Sequence, residues 1–278
     1  MADKHVLGLS GGKDSAALAI YMRLYHPELD IEYFFTDTGK ELPEVYTYLT
    51  KLEGFLGKKI LRLNADRGFD FWLAQYGNYL PSAKTRWCTK QLKLLPFKRW
   101  VDVMLHEGHT VYSYVAIRAD EEHRQGYSSH HKNLIIKMPF REDGYNKSAV
   151  FDLLEHSGIG IPEYYEWRSR SGCTFCFFQQ KIEWANLKER HPAAFEEAKK
   201  YEKLAIANKS PFLWTQGESL EELEKPERIS QIKSDFEYRK LKEKEKRPIN
   251  PLHQGLSLDI DELYLADEGN GSCDICHK

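Results

Sequence analysis

No stretch of the 278-residue chain reaches 18 consecutive apolar residues, so the sequence offers no membrane-spanning helix. Net charge is equally scarce. A formal charge of -2 neither demands nor forbids a polyanionic partner, so any electrostatic footprint must be local. Internal repeats and low-complexity tracts are missing, and with 41% hydrophobic and 29% charged residues the composition indicates neither disorder nor a fibre. Cysteine is sparse too: five residues, four of them in two Cys-x-x-Cys pairs, suit metal or redox chemistry better than a disulfide framework. Met1-Ala2-Asp3-Lys4-His5 leads straight into a short apolar run, without a charged segment and a long hydrophobic one, so a cytoplasmic protein is expected.

What is present is alternation. Residues 5 to 9 are an apolar run ending in a small polar and glycine cluster, after which Ala16, Ala17, Ala19, Ile20 and Leu24 continue with helical character: strand, tight loop, helix. Ile31 to Phe35 reads as a second strand, stopped by Thr36-Asp37-Thr38-Gly39, with Pro43 opening a helix to about Phe55. Lys59 to Leu63, Val111 to Ile117 and Leu134 to Met138 read as further strands. Strands separated by helices predict a parallel α/β sheet with right-handed crossovers and ligands beyond the carboxyl ends of the strands. The polar loops after the first and second strands, and Arg118 to Arg124, share that rim. Near residue 165 cysteines and long helical segments replace the alternation, giving an expected nucleotide-binding α/β domain over 1–165 and a mainly helical, cysteine-bearing C-terminal module over 166–278. Residues 179 to 209 look helical, and Glu218 to Arg247, with nine acidic and nine basic residues, reads as solvated helix faces.

A phosphate loop at a helix start needs small residues, so that backbone N–H groups reach the oxygens, and the positive end of the helix dipole. Ser10, Gly11 and Gly12 meet that need; Lys13 adds charge, Ser10 and Ser15 add hydroxyls, and Asp14 is left to bind Mg²⁺ or orient the loop. It is not a Walker A loop, because Lys13 stands five positions after Gly8 and Asp14 follows it. The structural alternative is a glycine turn that only caps a helix. Arg118 could clamp a phosphate or sulfate through two N–H groups, with Arg124 on the same side, or could simply pair with Asp120 or Glu121.

From Lys84 to Trp100 there are six basic residues, two tryptophans and no acid. Such a segment suits a nucleotide or a nucleic-acid backbone, with rings stacking on bases, but equally an amphipathic helix whose Trp87, Leu94, Leu95 and Phe97 face the core. Gly172-Cys173-Thr174-Phe175-Cys176 is a close thiol pair in an apolar setting with Arg168, Arg170 and Lys181 nearby. Cys88, Cys173 and Cys176 with one of Cys273 or Cys276 could hold a [4Fe-4S] cluster, while Cys173, Cys176, Cys273 and Cys276 could hold zinc. Free structural cysteines are the third reading.

The strand-SGGKDS-helix unit resembles the PP-loop of ATP pyrophosphatases. Three further segments, Thr36-Asp37-Thr38-Gly39-Lys40-Glu41-Leu42-Pro43-Glu44, Trp87-Cys88-Thr89-Lys90-Gln91-Leu92-Lys93-Leu94-Leu95-Pro96 and Ile117-Arg118-Ala119-Asp120-Glu121-Glu122-His123-Arg124, resemble successive motifs of the phosphoadenosine phosphosulfate (PAPS) reductase family, in the same order. Within it the nearer likeness is to the sulfur-activating enzymes of DNA phosphorothioation, of the DndC and SspD type, over roughly residues 5 to 200; Ala116 departs from the glycine usual there.

The resemblance implies an adenine nucleotide α-hydrolase-like fold that binds ATP with Mg²⁺ through Ser10, Gly11, Gly12, Lys13, Asp14, Ser15, Asp37, Thr38, Gly39 and Arg118. Ser10, Asp14, Ser15, Arg118 and Arg124 would then carry adenylation with release of pyrophosphate, readying a DNA backbone for sulfur. It favours the iron-sulfur reading of the cysteines, although none lies between Cys176 and Cys273 where a fourth ligand would be expected. Partners implied are DNA, a cysteine desulfurase or other sulfur donor, and sister proteins of a modification complex, with a homo-oligomer compatible. Two alternatives stay open. A PAPS or adenosine phosphosulfate reductase would share the rim motifs, but the expected Glu-Cys-Gly-x-His is replaced by Cys273-Asp274-Ile275-Cys276-His277. A non-catalytic nucleotide-sensing or DNA-binding subunit of a defence complex would use the same loop without turnover.

Overall fold

The computed structural model describes residues 2–122, 124, 129, 131–210 and 212–246, with side chains as far as residue 242. Strand β1 (Asp3–Gly8) is followed by α1 (Lys13–Tyr25), β2 (Ile31–Phe35), α2 (Pro43–Leu56), β3 (Leu61–Arg62) and α3 (Phe69–Gln75). Then come α4 (Trp87–Thr89), a π-helical turn over Lys90–Leu94, α5 (Leu95–His106), β4 (Thr110–Tyr114) and β5 (Leu134–Lys137). Beyond the sheet lie α6 (Pro139–Glu142), α7 (Lys147–His156), a 3₁₀ turn at Glu163–Glu166, α8 (Lys181–Arg190), α9 (Pro192–Ala207), α10 (Leu220–Leu223) and α11 (Pro226–Lys246). Among the described residues no helix is long and apolar enough to cross a membrane.

The sheet has five strands in the order β3-β2-β1-β4-β5, and every pairing is parallel. β1 is central. It pairs with β2 through His5 opposite Ile31 and Gly8 opposite Phe34, and with β4 through Lys4 opposite Val111 and Leu7 opposite Tyr114. Because successive side chains alternate, Leu7, Tyr33, Phe35 and Tyr114 share one cluster with residues of α1, α2 and α7, while Val6, Phe34 and Val111 pack against Val101 and Met104 of α5. The chain thus winds over one face from β1 to β3 and returns over the other, and the reversal falls between β1 and β4. Helix α1 is buried from Lys13 to Met22, as expected of a helix enclosed on all sides.

The expected strands are present with different ends. β2 spans the residues anticipated, whereas β3 shrinks to two residues and β4 stops at Tyr114, with buried Val115, Ala116 and Ile117 closing a turn from the Ile117 N–H to the Val115 carbonyl. The helical stretch over 179–209 divides at His191, because Pro192 has no N–H to continue a helix and opens α9. Trp184, Phe195, Trp214 and Phe175 of the later region belong to the same buried cluster as Leu7 and Leu18. Glu218 ties that region together: its carboxylate accepts two hydrogen bonds of 2.8 Å from Arg228 of α11 and an ion pair from Lys181 at the start of α8.

The hydrogen bonds from Arg228, with those from Lys181, hold the Glu218 carboxyl at about 2, below its usual 4.5. A depressed acid stabilises the fold fully above the usual value and loses that contribution as pH falls towards the lowered one. In urea titrations Glu218→Gln is therefore expected to unfold earlier than wild type at pH 7, with the gap between midpoints closing from about pH 4.5 downwards. A gap unchanged down to pH 3 would show that the contact contributes through packing alone.

Candidate functional site

Beyond β1 the chain turns through Ser10-Gly11-Gly12 into α1. Gly11 has φ +74°, the left-handed region that glycine enters without strain, and its carbonyl accepts a 3.1 Å hydrogen bond from the Tyr164 hydroxyl. Gly12 is the N-cap of α1 and no side chain caps it there, so the start of the helix is made of backbone and small side chains. The two serines lock the turn. Ser15 Oγ takes the Ser10 N–H at 3.1 Å and donates to the Gly12 carbonyl at 3.1 Å, with Ser10 Oγ 3.0 Å away. An added Cβ on Gly12 would stand 3.3 Å from both Ser10 Oγ and the Tyr165 hydroxyl, so the loop is closely backed.

Charge is arranged around Asp14. Arg118, just past the carboxyl end of β4, donates from Nη1 to Asp14 Oδ1 at 2.9 Å and from Nε to Asp120 Oδ1 at 2.9 Å. Lys13 Nζ lies 3.8 Å from Asp14 Oδ2 and 4.8 Å from the centre of the Tyr165 ring. Burial alone would lower the Arg118 pKa, but Asp14 and Glu121 reverse this and hold it above the ordinary value, so the cation is permanent. Arg124 bonds to Glu121 at 2.7 Å, and Glu121 also accepts the Arg118 backbone N–H. The pairing with Asp120 and Glu121 that the sequence offered as an alternative is thus present, together with an unforeseen bridge to Asp14. Both arginines meet carboxylates, and a phosphate would share or displace them. Asp14 is a single carboxylate beside a phosphate-type loop, which fits one protein ligand of a nucleotide-borne Mg²⁺.

The loop after β2 is held by its own side chains. Asp37 Oδ1 accepts the Gly39 N–H at 2.9 Å and the Tyr46 hydroxyl at 2.8 Å, and Thr38 Oγ1 donates to Glu41 at 2.8 Å. Asp37, Thr38 and Gly39 therefore shape the rim. Against this loop lies the cysteine segment: Glu41 and Cys173 form an antiparallel bridge, Leu42 N–H bonds the Gly172 carbonyl at 2.8 Å, and Thr174 N–H bonds the Lys40 carbonyl at 2.7 Å. Behind it, fully buried Arg168 donates to the carbonyls of Ser171, Cys173 and Thr174 at 3.2, 2.6 and 2.9 Å.

Lys93 reaches this segment from the π-helical turn, 3.5 Å from Cys173 Sγ and 4.0 Å from Glu41. Burial would lower its pKa, but the neighbouring sulfur of Cys173 and the Glu41 carboxylate hold it above the usual lysine value. Cys88, Cys173 and Cys176 share the neighbourhood, and burial pushes all three thiols up, Cys88 to about 11. The metal expectation meets a limit here. Among the described residues no group of three His, Cys, Asp or Glu side chains could hold a metal ion, and Lys93 stands beside the sulfurs with its positive charge. Cys273, Cys276 and His123 lie outside the described residues.

The basic stretch resolves towards a helix packed on the core. Trp87 is buried, stacks on Tyr76 at 5.5 Å and donates to the Tyr79 carbonyl, and Trp100 packs on Phe34, so neither ring is set out for stacking on bases. Lys98 and Arg99 pair with Asp102 and Asp66, and Arg86 lies over the Phe178 ring. Sequence reasoning missed Tyr164, Tyr165, Val45, Glu41 and the placement of Lys93. A Tyr-Tyr pair and a helix valine carry no local signal of their partners.

Residues 4–132 match the phosphoadenosine phosphosulfate reductase domain. An uncharacterized protein of Methanocaldococcus jannaschii is 29% identical over 204 residues, 69% of this chain and 40% of that protein. An uncharacterized nin region protein of Escherichia phage lambda is 27% identical over 202 residues, 62% of this chain and 65% of that protein. The chain thus spans less than two thirds of either relative, 40% of one and 65% of the other. Among solved structures, the phosphate complex of a PAPS reductase from Candida auris is similar with a TM-score of 0.47 and 11% identity, covering 61% of this chain and 81% of that one.

Two glycines separate conformation from contact. Gly39 has φ +69° with nothing within 4 Å of an added Cβ, while at Gly11 that atom would stand 2.5 Å from Val45 Cγ1. Gly39→Ala should cost about 1 kcal/mol by backbone strain alone, and Gly11→Ala at least about 2–3 kcal/mol because the clash adds to it. Chemical denaturation of both checks this; equal losses would contradict the close packing of the loop.

Proposed function

We propose that the chain is a PP-loop enzyme that binds Mg-ATP at Ser10–Ser15, adenylates an acceptor oxygen with release of pyrophosphate, and so prepares a site for sulfur incorporation. The observation that supports this most is the position of the loop: a left-handed glycine turn at the end of the central strand, leading into a helix start with no side-chain cap, where the winding of the sheet reverses. The match of residues 4–132 to the PAPS reductase domain supports a nucleotide ligand there.

The residues divide the work as follows. Backbone N–H groups at the start of α1 and the Ser10 hydroxyl receive the β and γ phosphates, and Ser15 would turn its O–H from the Gly12 carbonyl to a phosphate oxygen. Asp14, oriented by Arg118, would hold Mg²⁺, which supplies charge neutralisation on the phosphates. The acceptor oxygen forms a bond to the α phosphorus, the bond to the bridging oxygen breaks, and its electron pair leaves on pyrophosphate. Arg118 stays charged throughout, so it can stabilise the departing anion by exchanging a carboxylate contact for a phosphate oxygen. Asp37, Thr38 and Gly39 bound the nucleotide on the side of β2, and Arg124 keeps Glu121 against Arg118.

For the acceptor we favour a DNA backbone, on the sequence likeness to the DNA phosphorothioation enzymes, with a cysteine desulfurase or other sulfur donor as partner. The buried tryptophans do not add to that reading. A sulfonucleotide reductase is the second reading, favoured by the domain match, and sulfite release from PAPS with thioredoxin separates it from the first.

Asp14→Asn or Ser15→Ala is expected to lower pyrophosphate release from ATP by at least about a hundredfold while the unfolding midpoint stays near wild type. Release at the wild-type rate in a folded Asp14→Asn protein would sink the assignment.

A further inference from the structure

Val45, in the first turn of α2, is buried between two glycines that belong to different parts of the chain. A Cβ added to Gly11 would stand 2.5 Å from Val45 Cγ1, and one added to Gly172 would stand 2.2 Å from Val45 Cγ2. The two methyls of one side chain therefore press on the two backbones. A β-branched side chain on a helix has one strongly preferred rotamer, so Val45 has no easy rotation away from either neighbour. Gly11 needs to be glycine for its φ of +74° in any case, whereas Gly172 has no left-handed φ. What demands glycine at 172 is the contact with Val45. Tyr164 makes a parallel link: its hydroxyl bonds the Gly11 carbonyl at 3.1 Å, and its Cε1 would be 3.7 Å from a Cβ on Gly172.

We propose that Val45 is a positioning residue that transmits the placement of the Gly172–Cys173 segment to the phosphate loop, so that nucleotide affinity and the state of that segment are linked. The inference rests on the nucleotide-binding reading above. The segment has the rigidity the link requires, being paired to residues 40–42 on one side and held through three carbonyls by Arg168 on the other. A shift of Cys173, whether by a covalent group on its sulfur or by a partner bound there, pushes Val45 towards Gly11 or releases it. The reverse must also hold, since coupling between two sites is reciprocal.

The test is a double-mutant cycle read by calorimetric binding of Mg²⁺ with α,β-methylene-ATP to wild type, Gly172→Ala, Val45→Ala and the double variant. Gly172→Ala is expected to weaken binding about tenfold, and Val45→Ala in that background to restore it to within about twofold of Val45→Ala alone, because the smaller side chain frees the space. Wild-type affinity in a folded Gly172→Ala protein, or losses that simply multiply, would overturn the link while leaving the nucleotide site standing. Absence of binding to wild type would instead remove the reading beneath it. Should Gly172→Ala fail to fold, iodoacetamide labelling of Cys173, followed by mass spectrometry, decides: the bound analogue should change the labelling rate about fivefold in wild type and less than about twofold in Val45→Ala. An equal change in both proteins means that the nucleotide acts without Val45, and the proposal falls.

Discussion

The parallel pairing of β1 with a strand on each side is the constraint from which the site follows. Parallel strands need crossovers, and here those crossovers lie on opposite faces of the sheet to the two sides of β1. Beyond Gly8 the loop leaving β1 carries Ser10–Ser15 into α1, and the chain leaving β4 brings Arg118 to within 2.9 Å of Asp14. The positive end of the α1 dipole lies at that loop by construction. A helix start left open in this way presents backbone N–H groups and the positive end of its dipole, the features an anion would use.

Around the opening the chain has placed charges that are costly to bury, and each is offset. Asp14 meets Arg118 and lies near Lys13, Lys93 meets Glu41, and Arg168 is spent on three carbonyls in the field of Glu183. Burial lowers the Arg168 pKa and raises that of Glu183, each opposed by the other, so the pair stands or falls together. Such networks hold loops in one arrangement. The thiols of Cys88, Cys173 and Cys176 share this environment as neutral groups, pushed up by burial, beside a lysine that would favour a thiolate once formed.

Local features of the sequence announced local structure. Ile31–Phe35 was legible as a strand because a β-branched and aromatic run ends abruptly at Thr36-Asp37-Thr38-Gly39, and the strand–turn–helix at Ser10–Gly12 because glycines follow a strand and precede a helix. The ends of β3 and β4 were not, since Val115–Ile117 are as apolar as a strand but, after one N–H bond from Val115 to the Lys137 carbonyl, turn back on themselves from Ile117 N–H to the Val115 carbonyl. The Trp87 region shows composition misleading by itself: six basic residues with two tryptophans suit nucleic acid, yet periodicity turns the rings inward and neighbouring acids take up Lys98 and Arg99. The pairing of residues 40–42 with 172–174 and the wedge of Val45 were out of reach, because a backbone register across the chain and a contact between glycines and a valine leave no mark in spacing. The tie of Arg118 to Asp14 needed the strand order.

The central claim, that the turn at Ser10–Ser15 is where a nucleotide places its phosphates, is tested most directly by a crystal structure with Mg²⁺ and α,β-methylene-ATP. The β and γ phosphates should lie over the start of α1, within hydrogen-bond distance of the Ser10 and Ser15 hydroxyls, with the base towards the Asp37–Gly39 rim. Phosphates bound elsewhere, with the Ser10–Ser15 turn unoccupied at saturating ligand, would contradict the account.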